Sequence, residues 1–222
     1  MPSTKSSSEE GMHFALSFTF PKLLTIVKNS YDRCQNGSSS DAIVAVVFAV
    51  ACLESFISDL VALSRFTHRP ERKMFGTFIS TLEELEESRT QVTRKYQITK
   101  IIFTGKGFDK GCQPFQDLSL LIKIRNQLIH PVPDEFRTDE EGNPIDMNRN
   151  HKLITTLAKR DLCKEPGKFS KDWTTYFEND QRLAKWACLT AVAMIREIFE
   201  VFPKNSMAWM MLQSELQKSD VI

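Results

Sequence analysis

The chain has 222 residues and carries 29 Lys and Arg against 28 Asp and Glu, a net charge of +1. That length supports one domain with a buried core, over 1–222, and the balanced charge argues against a broad nonspecific polyanion surface. Cys34, Cys52, Cys112, Cys163 and Cys188 are scattered, with neither CxxC nor His/Cys ligand spacing. Free thiols in a reducing cytoplasm are therefore expected, with no metal and no cofactor.

The first ten residues are polar and Ser-rich, without the pattern of a signal peptide, and 1–13 are expected to form a flexible tail. "PKLLTIVKNSYDRCQ" from Pro21 predicts a first helix with Leu23, Leu24 and Val27 inward, proline being suited to the first turn. "NGSSSD" is a loop whose Ser40 or Asp41 can start a second helix. That helix, Ala42–Leu63, is apolar and long enough to cross a bilayer. Glu54 and Asp59 interrupt it and no basic cluster flanks it, so a central helix of a bundle is the expectation rather than a membrane span.

"FISTLEELEESRTQVTRKY" predicts a third, more polar helix, with Glu83, Glu84, Glu86 and Glu87 on a solvated face. Residues 97–115 hold three glycines and the β-branched run Ile98–Phe103, which predicts a loop, so 64–114 is read as an irregular insertion. A fourth helix, "DLSLLIKIRNQLIH", follows from Asp117. Beyond it comes an irregular segment, acid-rich over Asp134–Asp146 and base-rich over Arg149–Lys171. The basic half is either a polyanion-lining stretch or ordinary solvated surface. "DQRLAKWACLTAVAMIREIFEVF", Asp180–Phe202, is a last long helix with Trp186 as a core anchor. A weaker helix with Trp209, Met210 and Met211 lies in a C-terminal extension, 203–222. The sum is an all-α fold: an antiparallel bundle of four to five main helices with one irregular insertion.

The fourth helix carries the chemistry. At about 100° per residue, Leu118, Leu121, Ile122, Leu128 and Ile129 share one arc, and Arg125 falls near its middle. A buried guanidinium needs a carboxylate, a phosphate or a water-filled cleft. Glu54 is a candidate carboxylate, and an Arg125–Glu54 pair joining two core helices would explain both residues without any catalysis. If Arg125 pairs with Glu54, Glu54→Ala is expected to cost about 3 kcal/mol or more, as when a buried charge loses its partner. Asn126 and His130 stack on the polar edge four residues apart. Pro131 ends the helix, making His130 a helix-end residue. His130 is then either a helix-end cap or a proton-transfer group, and Asn126 either a solvated polar residue or a ligand-binding one. His13, His68 and His151 have no comparable context.

"RNQLIH", Arg125–His130, resembles the Arg-x(4–6)-His motif of the HEPN superfamily, helical domains found in many prokaryotic toxin and phage-defence ribonucleases. "AVACLESFISDL" (Ala49–Leu60) and "KWACLTAVAMIREI" (Lys185–Ile198) are similar to the helices that precede and close that domain. The resemblance spans roughly 20–63 and 115–202. It implies a cytoplasmic homodimer whose two motifs share one cleft, and metal-independent cleavage of RNA by its own 2′-OH. Carried over, His130 is the general acid or base, since an unperturbed imidazole titrates near neutral pH. Arg125 neutralises the phosphate, and Asn126 holds phosphate or orients His130. Glu54 supports Arg125. The same superfamily also contains non-catalytic members that pair with an antitoxin or nucleotidyltransferase-type partner, so a binding module remains the alternative.

Overall fold

The computed structural model describes residues 16–36, 40–66, 72–130, 149–164, 173–177 and 180–221. Among them the secondary structure is entirely helical: α1 Phe20–Gln35, α2 Asp41–Phe66, α3 Arg72–Glu87, α4 Val92–Thr104, α5 Phe115–Ile129, α6 Arg149–Ala158, α7 Gln181–Val201 and α8 Met207–Lys218, with a 3-10 turn at Trp173–Tyr176. The expected tail over 1–13, the acidic stretch Asp134–Asp146, and the side chains of His13, His68 and His151 lie outside the described residues.

α2 occupies the centre, which accounts for its composition. It is long and apolar enough to cross a membrane, yet α1, α5 and α7 all pack against it. Ala42, Ala45, Val46, Ala49, Leu53 and Phe56 are fully buried. A helix apolar almost all round is what a central position demands. Asp59 serves the start of α1. One of its carboxylate oxygens accepts from the backbone N–H groups of Thr19 at 2.8 Å and Phe20 at 2.9 Å. It thereby satisfies two N–H donors at the beginning of that helix, which has no side-chain cap from its own residue Thr19. Asp41, at the other end of α2, accepts from Arg33 of α1 at 2.7 Å.

Within 64–114 the described residues are mostly helical rather than irregular, with α3 and α4 where an insertion was expected and non-helical residues at the 88–91 turn and over 105–114. The single third helix expected over 78–96 is two helices, because the chain reverses at Ser88–Gln91. Thr90 N–H donates to Leu85 O and Arg89 N–H to Glu86 O, both at 2.9 Å. That bond pattern is a Schellman cap, and its left-handed position is Arg89, at φ 52°. The loop expected over 97–115 is helix through Thr104, stopped by Gly105 at φ 73°. The β-branched run lost to tertiary packing. Tyr96 is fully buried and donates its hydroxyl to Leu53 O of α2 at 3.2 Å. Thr99 Oγ1 donates back to Lys95 O at 2.8 Å, so its buried hydroxyl is satisfied inside the helix. Phe75, Phe78 and Phe103 then meet Phe202 beyond α7, with ring centroids of neighbours 5.0–6.4 Å apart.

The base-rich half of the irregular segment is also partly helical, as α6. Its Arg160, just past the end of α6, donates to Asp117 Oδ1 at 2.6 Å and Gln116 Oε1 at 2.9 Å, tying that segment to the start of α5. α8, whose first turn is capped by Ser206, returns to α2, and Leu212, Leu216 and Val221 are buried. The cysteines form no disulfide. Burial raises the thiol of Cys52 well beyond its ordinary range and that of Cys163 to about 11, which makes both poor nucleophiles.

Candidate functional site

α5 buries Phe115, Leu118, Leu121, Ile122 and Ile124. Its last turn is different. Ile129, expected inside, is 46% exposed. Leu128 is only partly buried. The apolar arc of the sequence is correct in angle, but among the described residues the last turn of α5 is only partly covered. Arg125 lies where the cover ends. Its side chain is 19% exposed, and Nη2 donates to Glu54 Oε1 at 2.5 Å. Glu54 is 45% exposed on the outer side of α2. The pair suggested by the sequence is present, but neither member is a buried charge, which corrects the premise of a large penalty for breaking it.

Asn126 and His130 are both exposed. His130 is the C-cap of α5 at φ −122°, and its N–H donates to Asn126 O at 2.9 Å. The following proline forbids further helix, leaving the imidazole at a helix end with solvent access.

Arg125 and Asn126 open on a cleft of about 400 Å³ between α2, α5 and the α3–α4 turn. Its other charged residues are Glu54, Glu86, Arg89 and Lys95. Lys95 Nζ bonds Glu86, and the two are exposed very unequally, 12% for Lys95 and 64% for Glu86. Arg89 has no acidic partner among the described residues and is exposed. His130 is not part of the cleft wall. It sits one turn beyond Asn126, about 6 Å farther along the helix axis. Thus Arg125, Asn126 and Glu54 are brought together, and His130 is adjacent rather than facing them across the same hollow.

Sequence reasoning missed Glu86, Arg89 and Lys95. In the sequence Glu86 reads as solvated surface within one continuous helix, which hides the turn where all three converge. The available signal was the polar run Ser88-Arg89-Thr90-Gln91, in which the helix-starting residue types of a new helix follow a glutamate-rich end. No group of three His, Cys, Asp or Glu side chains able to hold a metal ion occurs among the described residues. Compared with known proteins, the chain matches no family model, no curated protein and no solved structure.

Proposed function

We propose that the chain is a HEPN-like helical bundle acting as a cytoplasmic endoribonuclease of the toxin or phage-defence kind. One observation carries this reading: Arg125 and Asn126 open on a cleft, and His130 follows one turn later, exposed, at the end of the same helix. A guanidinium, an amide and a solvent-accessible imidazole in that order suit attack of an RNA 2′-OH on its neighbouring phosphate.

His130 takes the proton of the 2′-OH, and the freed oxygen bonds to phosphorus. The bond from phosphorus to the 5′-oxygen breaks, and that oxygen receives a proton from the imidazolium of a second copy. The products are a 2′,3′-cyclic phosphate and a 5′-OH. Arg125 offsets the charge that builds on the phosphate, with Glu54 fixing the direction of its fork. Asn126 hydrogen-bonds a phosphate oxygen. A homodimer supplies the second imidazole, and twofold pairing is the commonest assembly of soluble proteins.

The decisive experiment is cleavage of single-stranded RNA by the purified chain in EDTA. RNA is expected to be cut and DNA left intact, because DNA lacks the attacking hydroxyl. His130→Ala is expected to lower the rate by about 10²–10⁴ while melting like wild type. Equal cleavage by that variant would remove the assignment. One observation favours a second reading: the Arg125–Glu54 bond accounts for the arginine structurally. On that reading the domain is a non-catalytic module that binds an antitoxin or nucleotidyltransferase-type partner, and no RNA cleavage is expected from any variant.

A further inference from the structure

Both ion pairs in the cleft share an asymmetry. The cations are nearly covered, Lys95 at 12% and Arg125 at 19% exposure, whereas their carboxylate partners stand outside, Glu86 at 64% and Glu54 at 45%. Packing holds the Lys95 stem in place and directs its ammonium into the hollow, since long cationic side chains bury their methylenes and present their heads. Glu86 reaches over from the last turn of α3 and can return to water with little loss, because pairs exposed on one side contribute little. Arg89 adds a third cation, so three positive groups face two carboxylates and the cleft is net positive. The αL geometry at its position, φ 52°, is one that glycine adopts more readily than arginine.

We propose that this cleft is a phosphate-binding subsite for single-stranded RNA which the chain keeps occupied with its own carboxylates, above all Glu86 on Lys95. This rests on the ribonuclease reading for the identity of the ligand. The strand's phosphate displaces Glu86, takes Lys95 and Arg89, and leaves Arg125 to bridge toward the scissile position beside His130. Because His130 is absent from the cleft wall, the phosphate held here neighbours the cleaved one. The volume of about 400 Å³ exceeds what a lone carboxylate needs and falls within the range of sites that enclose a small organic ligand. Ser58, Thr90 and Gln91 line the same hollow and offer hydrogen bonds to ribose or base edges.

The test is fluorescence anisotropy of a labelled 2′-O-methyl oligoribonucleotide, which cannot be cleaved because its attacking hydroxyl is blocked. It is run on the full chain and on Glu86→Gln, Lys95→Met and Arg89→Ala. Glu86→Gln is expected to bind about threefold more tightly, as loss of a competing half-exposed ion pair allows. Lys95→Met keeps the buried stem, and Arg89→Ala alters an exposed side chain. Each is expected to weaken binding and to reduce the slope of log K against log salt by about 0.7. Glu86→Gln binding no more tightly than wild type overturns self-occupancy. Unchanged salt slopes in Lys95→Met and Arg89→Ala overturn the phosphate seat. Competition by poly-glutamate as effective as by unlabelled oligonucleotide assigns the cleft to an acidic protein and overturns the RNA assignment. Parallel digestion of natural RNA by His130→Ala separates the two levels. Retained cleavage there fells the assignment of catalysis to His130 and its motif and leaves the binding result standing. Lost cleavage with failed binding arms fells only the subsite.

Discussion

Breaking the Arg125–Glu54 pair measures how far the arginine is structural. The two charge centres lie roughly 4 Å apart, which at an effective dielectric of about 20 corresponds to some 4 kcal/mol of gross attraction and in water to about 1. With 19% and 45% of the side chains exposed, the pair stands between these limits. Desolvation and the ordering of two long side chains offset most of the gross value. A net coupling of about 1–1.5 kcal/mol follows, at or just above the ~0.2–1 of exposed pairs, and removing one partner should fall well short of the ~3–5 that a stranded buried charge costs. The assay is a double-mutant cycle by urea unfolding, using Glu54→Ala, Arg125→Ala and the double variant. Arg125→Ala alone should cost more than Glu54→Ala, because it also removes a methylene stem from beside Ile122. Coupling should shrink in about 1 M salt. A coupling under about 0.3 kcal/mol would mean that the bond is incidental, and one above about 3 would mean that the site excludes water. Either result refutes the half-exposed description.

Three further outcomes are expected. Burial raises the Asp59 carboxyl above the ordinary aspartate range, against the Phe20 and Thr19 N–H groups and the Ser55 hydroxyl that lower it. The folded chain therefore holds that proton more tightly than the unfolded chain. Stability relative to Asp59→Asn should be fullest below the unfolded value of about 3.9 and decline as pH rises through the folded value. A stability difference flat with pH would contradict this. Arg89→Gly should raise stability by about 0.5–1 kcal/mol, the left-handed penalty less glycine's extra unfolded freedom, and, on the proposed phosphate subsite, weaken oligonucleotide binding. Thermal melts and the anisotropy assay read the two halves, and a lower melting temperature would dispute the cap geometry. Gln97 brackets Phe108, donating to its carbonyl and accepting from its N–H, both at 3.1 Å. A Cβ on Gly107 would lie 2.1 Å from Gln97 Nε2. Gly107→Ala should therefore cost about 1–3 kcal/mol by losing both bonds, and it should add little in a Gln97→Ala background. Full additivity of the two would show that the clash is relieved elsewhere.

The amino-acid sequence alone determined the helical character, the central place of the apolar helix Ala42–Leu63, and the end of α5 at the proline after His130. Each follows from local chemistry: side-chain periodicity, the near absence of charge, and the missing helical geometry before proline. It also indicated that Arg125 needs a partner and that Glu54 could be one. Tertiary structure decided what those rules do not contain. A helical wheel gives the angle of Arg125 but not where, along the axis, neighbouring helices stop covering it. The wheel therefore overstates the burial of the Arg125–Glu54 pair and puts Ile129 inside. The β-branched run Ile98–Phe103 favours strand or loop by itself, but contacts from Tyr96 to α2 and from Phe103 to Phe78 and Phe202 hold it helical. The turn at Arg89 lacks the glycine that normally marks such a break. With that turn hidden, Glu86, Arg89 and Lys95 read as one solvated helix face, and only the folding of α4 back toward α5 brings them to the cleft beside Arg125 and Asn126.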